Sequence, residues 1–140
     1  MYRIPLPTSY GPAVAKVPDV PRSDKLAYGR YLAGAAGHCI ECHSTPGANG
    51  VQDIANRLGA GGASFRGPWG VSVSANITPT GLRRYSDAAL KTIITTGVRP
   101  DGSRLKSPAA VAYYAHMQPG DLDALVELAP EKWTPRGLVF

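Results

Sequence analysis

The chain has 140 residues, with 15 lysines and arginines against 10 acids and a formal net charge of +5. That length is one domain's worth and excludes two independent hydrophobic cores. A hydrophobic fraction of 44% excludes wholesale disorder, and the lack of any run of about 18 apolar residues excludes a membrane-spanning helix.

No Lys/Arg run interleaves with aromatic residues, so nucleic-acid binding is not expected. Gly 16 and Pro 13 predict many loops and short elements. Charged residues reach only 18%, below the usual ~25%. A small domain with this much loop needs a cofactor, a metal or disulfides to hold it together.

In chain order, residues 1–22 carry Pro5, Pro7, Pro12, Pro18 and Pro21. This density forbids a continuous helix and favours extended chain, read as a tether or strap. Met1-Tyr2-Arg3-Ile4-Pro5 meets a proline before an apolar leader core can form, so no secretory signal is read. Ser23 is expected to cap a first helix, with Asp24 near its positive end. That helix runs to about Ala35 and stops at Gly37, with Leu26, Gly29, Leu32 and Ala33 on one face.

Residues 44–82 are rich in Gly, Ser, Asn and Pro, so loops are expected, with a short strand or turn near Val71–Val73. Ser86 caps a second helix whose apolar face is Leu90, Ile93 and Ile94, and Gly97 ends it. Pro100-Asp101-Gly102 is a turn. A last helix starts after Gln118 with Pro119 at its first position. Gln118 with Asp121 would form a variant capping box and Met117 with Leu122 a hydrophobic staple. Leu122, Leu125, Val126 and Leu128 give this helix its buried stripe, and Pro130 stops it.

Both cysteines fall in one word, Cys39-Ile40-Glu41-Cys42-His43. This is the C-x-x-C-H spacing of haem attachment. Two thiols so spaced can add across the vinyl groups of one porphyrin edge, and the adjacent imidazole then lies under the iron. A covalently held porphyrin would also supply the staple that the composition demands. Three other readings stay open: a redox dithiol, which wants a βαβ context; a zinc site, for which His38 and His116 form no second paired motif; and a plain disulfide, which leaves His43 unexplained.

Beyond this word the sequence resembles the class I c-type cytochromes, and among them the monohaem cytochrome domains and subunits that accept electrons from bacterial periplasmic dehydrogenases. The resemblance spans residues 23–129. It rests on Arg30-Tyr31-Leu32, Gly67-Pro68-Trp69-Gly70, Ser74-Ala75-Asn76-Ile77-Thr78-Pro79 and Tyr85-Ser86-Asp87. It continues through Gly97-Val98-Arg99-Pro100-Asp101-Gly102 and Asp121-Leu122-Asp123-Ala124-Leu125-Val126.

The resemblance implies an all-α fold of three to four short helices and long loops around one covalent haem c, with the first and last helices crossing near Gly29. It implies Cys39 and Cys42 as attachment points and His43 as proximal iron ligand. Asn76 and Ile77 would contact the haem. Arg99 would hold a propionate or remain a solvated arginine. Trp69 is expected to fill the loop core, and Tyr113 and Tyr114 to be packing residues. The implied function is one-electron transfer, without catalysis of its own, in the periplasm. The redox partner would be a dehydrogenase or a terminal oxidase chain, within a complex that could be membrane-anchored.

The pattern breaks at the sixth ligand. Where the family places an axial methionine, this sequence has Ala109, whose methyl group cannot ligate iron. Met117, His116, water or an open site remain, and an open site would suit a five-coordinate haem that binds a small ligand or reduces peroxide. Thr78–Arg84 is also short for the family, Tyr85 stands where Trp is common, and the tail 130–140, with Trp133 and Phe140, matches no family pattern.

Overall fold

The computed structural model describes Lys16 and residues 19–127. The tail 130–140 and most of the proline-rich segment 1–22 lie outside the described residues. Helix α1 (Lys25–Tyr31) is capped by Asp24, whose carboxylate accepts from the Ala27 amide at 3.0 Å. The cap therefore falls one residue after the expected Ser23. The helix then widens into a π-helical turn, Leu32–Ala36. The Gly37 amide closes it by donating to the Leu32 carbonyl at 2.7 Å, an i→i−5 bond. A Cβ on Gly37 would stand 2.5 Å from that carbonyl, so the wide turn needs a residue with no side chain.

Short helices follow: α2 (Cys39–His43), α3 (Ile54–Arg57) and α4 (Pro79–Leu82). Helix α5 (Asp87–Thr96) obeys its sequence signals. Ser86 Oγ accepts from the Ala89 amide, Leu90 is buried, and Gly97 ends the helix at φ 70°. Helix α6 (Val111–Tyr114) is one turn long, and α7 (Pro119–Glu127) starts at the expected proline. None of the helices among the described residues is long and apolar enough to cross a membrane.

The first and last helices pack together. Tyr28, Leu32 and Ala124 form the buried cluster between them, with Val20 and Leu125 against it. Gly29 is buried beside Tyr28. Asp121 does not close a capping box. Its carboxylate instead accepts from Arg22 at 2.7 Å and from the Tyr28 hydroxyl at 3.2 Å, clamping α7 to the start of α1. Lys25 with Glu127, and Lys91 with Asp123, add ion pairs at the flanks of α7.

The all-α expectation is corrected. Strands β1 (Ser64–Gly67) and β2 (Gly70–Val73) form an antiparallel hairpin pairing Phe65 with Ser72 and Arg66 with Val71. The glycines that deny this region a helix also let it reverse tightly, since Gly70 takes φ 88°. The alternation is inverted. Val71 and Val73 are exposed, while the Ser72 hydroxyl turns in and donates to the Ser107 carbonyl. Trp69 does not fill the loop core: it is 43% exposed, and its ring lies where a Cβ on Gly67 would be.

Candidate functional site

The C-x-x-C-H word forms the whole of α2, one helical turn. One turn is what brings residues three and four apart to the same side. The chain enters it through His38, the described non-glycine residue with positive φ, at 53°. His38 holds that left-handed bend with its imidazole Nδ1 2.9 Å from Glu41 Oε1. Such a conformation is uncommon outside glycine, and histidine tolerates it better than most residues.

Ile40 points into the protein and is buried, which turns the flanking Cys39 and Cys42 the other way. Cys39 is half-buried and Cys42 exposed. Both are free thiols, so the disulfide reading finds no bridge. Burial pushes the Cys39 thiol above its ordinary range. Among the described residues no group of three His, Cys, Asp or Glu side chains is placed to hold a metal.

His43 sits in a cradle made of backbone. Its Nδ1–H donates to the Ala75 carbonyl at 2.7 Å. A carbonyl can only accept, so Nδ1 carries a proton, and in the neutral ring the lone pair is then on Nε2. An imidazole held in this tautomer by a backbone carbonyl is oriented for metal ligation through its other nitrogen. Around it, the His43 carbonyl accepts from the Gly61 amide at 2.6 Å, and Thr45 Oγ1 donates to the Gly61 carbonyl at 2.7 Å. Ser44 is wholly buried, and its Oγ accepts from the Gly59 amide at 3.1 Å.

Gly61, at φ 75°, would drive a Cβ to 2.7 Å from Ala75 and Asn76 backbone atoms. Only glycine lets these two loops approach so closely. Ser44, Thr45 and Gly61 are thus positioning residues that sequence reasoning missed. The signal for them was the glycine cluster 59–62, read only as a helix breaker.

The remaining site candidates are placed unevenly. Asn76 follows the carbonyl that orients His43. Its Oδ1 accepts from the Thr78 amide at 2.8 Å and from the Thr78 hydroxyl at 2.6 Å, folding the Asn-Ile-Thr word into a tight turn against Gly81. Ile77 is half-buried and its amide donates to the Gly59 carbonyl, so both residues belong to the His43 cradle. Arg99 bonds its own turn, through Ser103 Oγ at 3.1 Å and the Arg104 carbonyl at 3.2 Å. It borders an open recess of about 290 Å³ with Ala88, Ala89, Thr92, Val98 and Pro100.

Ala109 is exposed, and its amide donates to the Lys106 carbonyl. Met117 is half-buried and His116 exposed. Their amides donate to Tyr114 and Tyr113 carbonyls in the turns after α6. Tyr113 is not a packing residue, being 83% exposed. Tyr114 is half-buried, and its hydroxyl donates to the Gly37 carbonyl at 2.7 Å.

Two free thiols and one imidazole with a directed lone pair therefore share one helical turn, with Asn76 and Ile77 in the loop behind. This donor set fits a group that takes two thioether links and one nitrogen ligand. No protein-family model matches the chain. It is similar to the gluconate 2-dehydrogenase cytochrome c subunit of Pantoea cypripedii, 34% identical over 69% of this chain and 21% of that subunit. It is 32% identical to the fructose dehydrogenase cytochrome subunit of Gluconobacter japonicus, over 85% of this chain and 22% of that subunit. A third relative, a nicotinate dehydrogenase subunit of Pseudomonas putida, is 33% identical over 71% of this chain and 8% of its own length.

The chain is a homologue of the cytochrome c subunits of bacterial dehydrogenases. It spans about a fifth of the length of the two named cytochrome subunits and less of the third relative.

Proposed function

We propose that this chain is a one-electron carrier of a dehydrogenase complex, holding a single haem c through thioether links at Cys39 and Cys42 with His43 as proximal ligand. The observation that carries this reading is the His43 tautomer. Its Nδ1–H is spent on the Ala75 carbonyl at 2.7 Å, leaving Nε2 free beside two unpaired thiols. The names of the relatives support the same role.

When bound, the haem supplies an iron that exchanges one electron between Fe(III) and Fe(II). The protein's residues do the rest. Cys39 and Cys42 prevent loss of the group from a domain too small to enclose it. The Ala75 carbonyl fixes the plane of the His43 ring. Asn76 and Ile77 contribute the wall behind the imidazole. Arg99 stands at a separate turn, half-buried, as the candidate propionate partner. The relatives named as cytochrome subunits support a carrier rather than a catalyst.

Covalent haem attachment in bacteria takes place after export, so the working compartment is the periplasm. The partner is a dehydrogenase subunit, and any membrane anchor of the complex is carried outside residues 19–127, where no helix is long and apolar enough to span a bilayer. A net charge of +5 would steer association with an acidic partner face, and that steering weakens with salt.

A second reading has one observation in its favour: Ala109 at the expected axial position, with Met117 and His116 bonded into their own turn. On this reading the haem is five-coordinate and takes a small ligand. Optical spectra of the holoprotein separate the two. A weak long-wavelength charge-transfer band in the oxidised state and little CO binding in the reduced state are expected of a carrier with a thioether ligand. High-spin bands with ready CO binding overturn it.

A further inference from the structure

Two segments 77 residues apart meet at one carbonyl. The Tyr114 hydroxyl donates to the Gly37 oxygen at 2.7 Å, and the Cys39 thiol approaches the same oxygen at 3.8 Å. Gly37 is not free to yield. It closes the π-helical turn against Leu32, and a Cβ there would collide with backbone. His38 next to it is held in the left-handed region. The Tyr114 phenol is correspondingly well seated: burial, with the Cys39 thiol beside it, pushes its pKa up to about 12, so it remains a donor throughout the working pH range.

From this geometry we infer that Tyr114 is a positioning residue, a strap by which α6 and the Ala109 loop before it are fastened to the turn that presents Cys39. The inference rests on the haem reading for its purpose, since Cys39 is then an attachment point and residues 109–117 the opposite wall. Attachment would strengthen the dependence on Tyr114. A thioether sulfur has no proton to donate, so the Gly37 carbonyl would lose its thiol contact and keep the phenol. The neighbouring Tyr113, exposed and on the other side of the same turn, has no such part.

The test compares the holoprotein with its Tyr114→Phe and Tyr113→Phe variants. Losing one neutral hydrogen bond changes the population of an opened form by about two- to tenfold. Amide exchange at Gly37 and His38 on one side, and at Ala115 and Met117 on the other, is expected to accelerate together by that factor in Tyr114→Phe. The midpoint potential of the haem is expected to shift in the same variant, and Tyr113→Phe to change neither.

Exchange that rises only after α6, or a midpoint potential equal to that of the parent, overturns the strap. So does the absence of a nuclear Overhauser contact between the Tyr114 ring and the Gly37–His38 amides in the unsubstituted protein, a measurement that needs no variant to fold. A parent protein that carries no haem overturns the functional reading alone, because the exchange measurements still report on the strap.

Discussion

The segment from His43 to Thr45 is tied at every step to loops far along the chain: to Gly59 and Gly61 by backbone and hydroxyl bonds, and to Ala75 by the imidazole. Between Lys106 and Met117 the backbone bonds run mostly to near neighbours. Ala109 and Tyr113 stand in solvent, and the Ser72 and Tyr114 hydroxyls make the long-range ties. The first region is preorganised by glycine-permitted contacts between loops. The second is a set of local turns pinned at two points. On the proposed reading, the attachment side is built to hold a ligand in one orientation, and the opposite side can change its chemistry at one position, such as 109, without unfolding the protein.

The largest effect is expected from replacing both Cys39 and Cys42 with Ala. Covalent pigment should vanish from a haem-stained denaturing gel, and pigment that still travelled with the denatured chain would break the attachment half of the comparison. Next comes the opposite side. Ala109→Met offers a thioether where the family has one, and a competitor worth ~1.4 kcal/mol or more lowers CO affinity about tenfold or more. A ferrous CO titration of the holoprotein reads this directly, and an unchanged affinity would mean that the loop does not face the iron.

Stability should divide the same way. Ser44→Ala leaves the Gly59 amide buried without its acceptor and is expected to cost about 1–3 kcal/mol in a urea melt. Tyr113→Ala, on the open side, should stay within about 0.5 kcal/mol. Equal losses would erase the distinction between the two regions.

The smallest effect concerns the flank of α7. The Lys91 ammonium, by hydrogen bond and charge, holds the Asp123 carboxyl below the usual carboxylate range. A folded pKa lower than the unfolded one means that the stabilisation is present above the ordinary carboxylate value of about 3.9 and is lost as pH falls through the folded value. Asp123→Asn should flatten the acid limb of a Tm-against-pH curve slightly. Added salt should shrink the difference, because the pair is exposed.

Much of the helical framework was legible. Ser86 and Gly97 bound α5, and Pro119 opens α7, because caps and breakers act through local backbone geometry. The C-x-x-C-H word was legible for the same reason: its chemistry needs only one helical turn. Of the hairpin, β2 was legible as the short strand or turn expected near Val71–Val73; β1 and the facing of the side chains were not, since Val71 and Val73 face out and the Ser72 hydroxyl bonds the distant Ser107 carbonyl. Tyr113 and Tyr114 show the limit most plainly. They are adjacent and chemically identical, yet one is solvated and the other grips Gly37.

By itself, then, the order of residues determined where short helices start and stop and which turn carries two thiols and an imidazole, because those outcomes depend on neighbours a few positions away. Only the tertiary structure decided that the Ala75 carbonyl would orient His43, that Gly61 would admit it, and that Tyr114 would reach Gly37. Those contacts join residues far apart in the chain, and their partners are set by the packing of loops whose local sequence favours no single conformation.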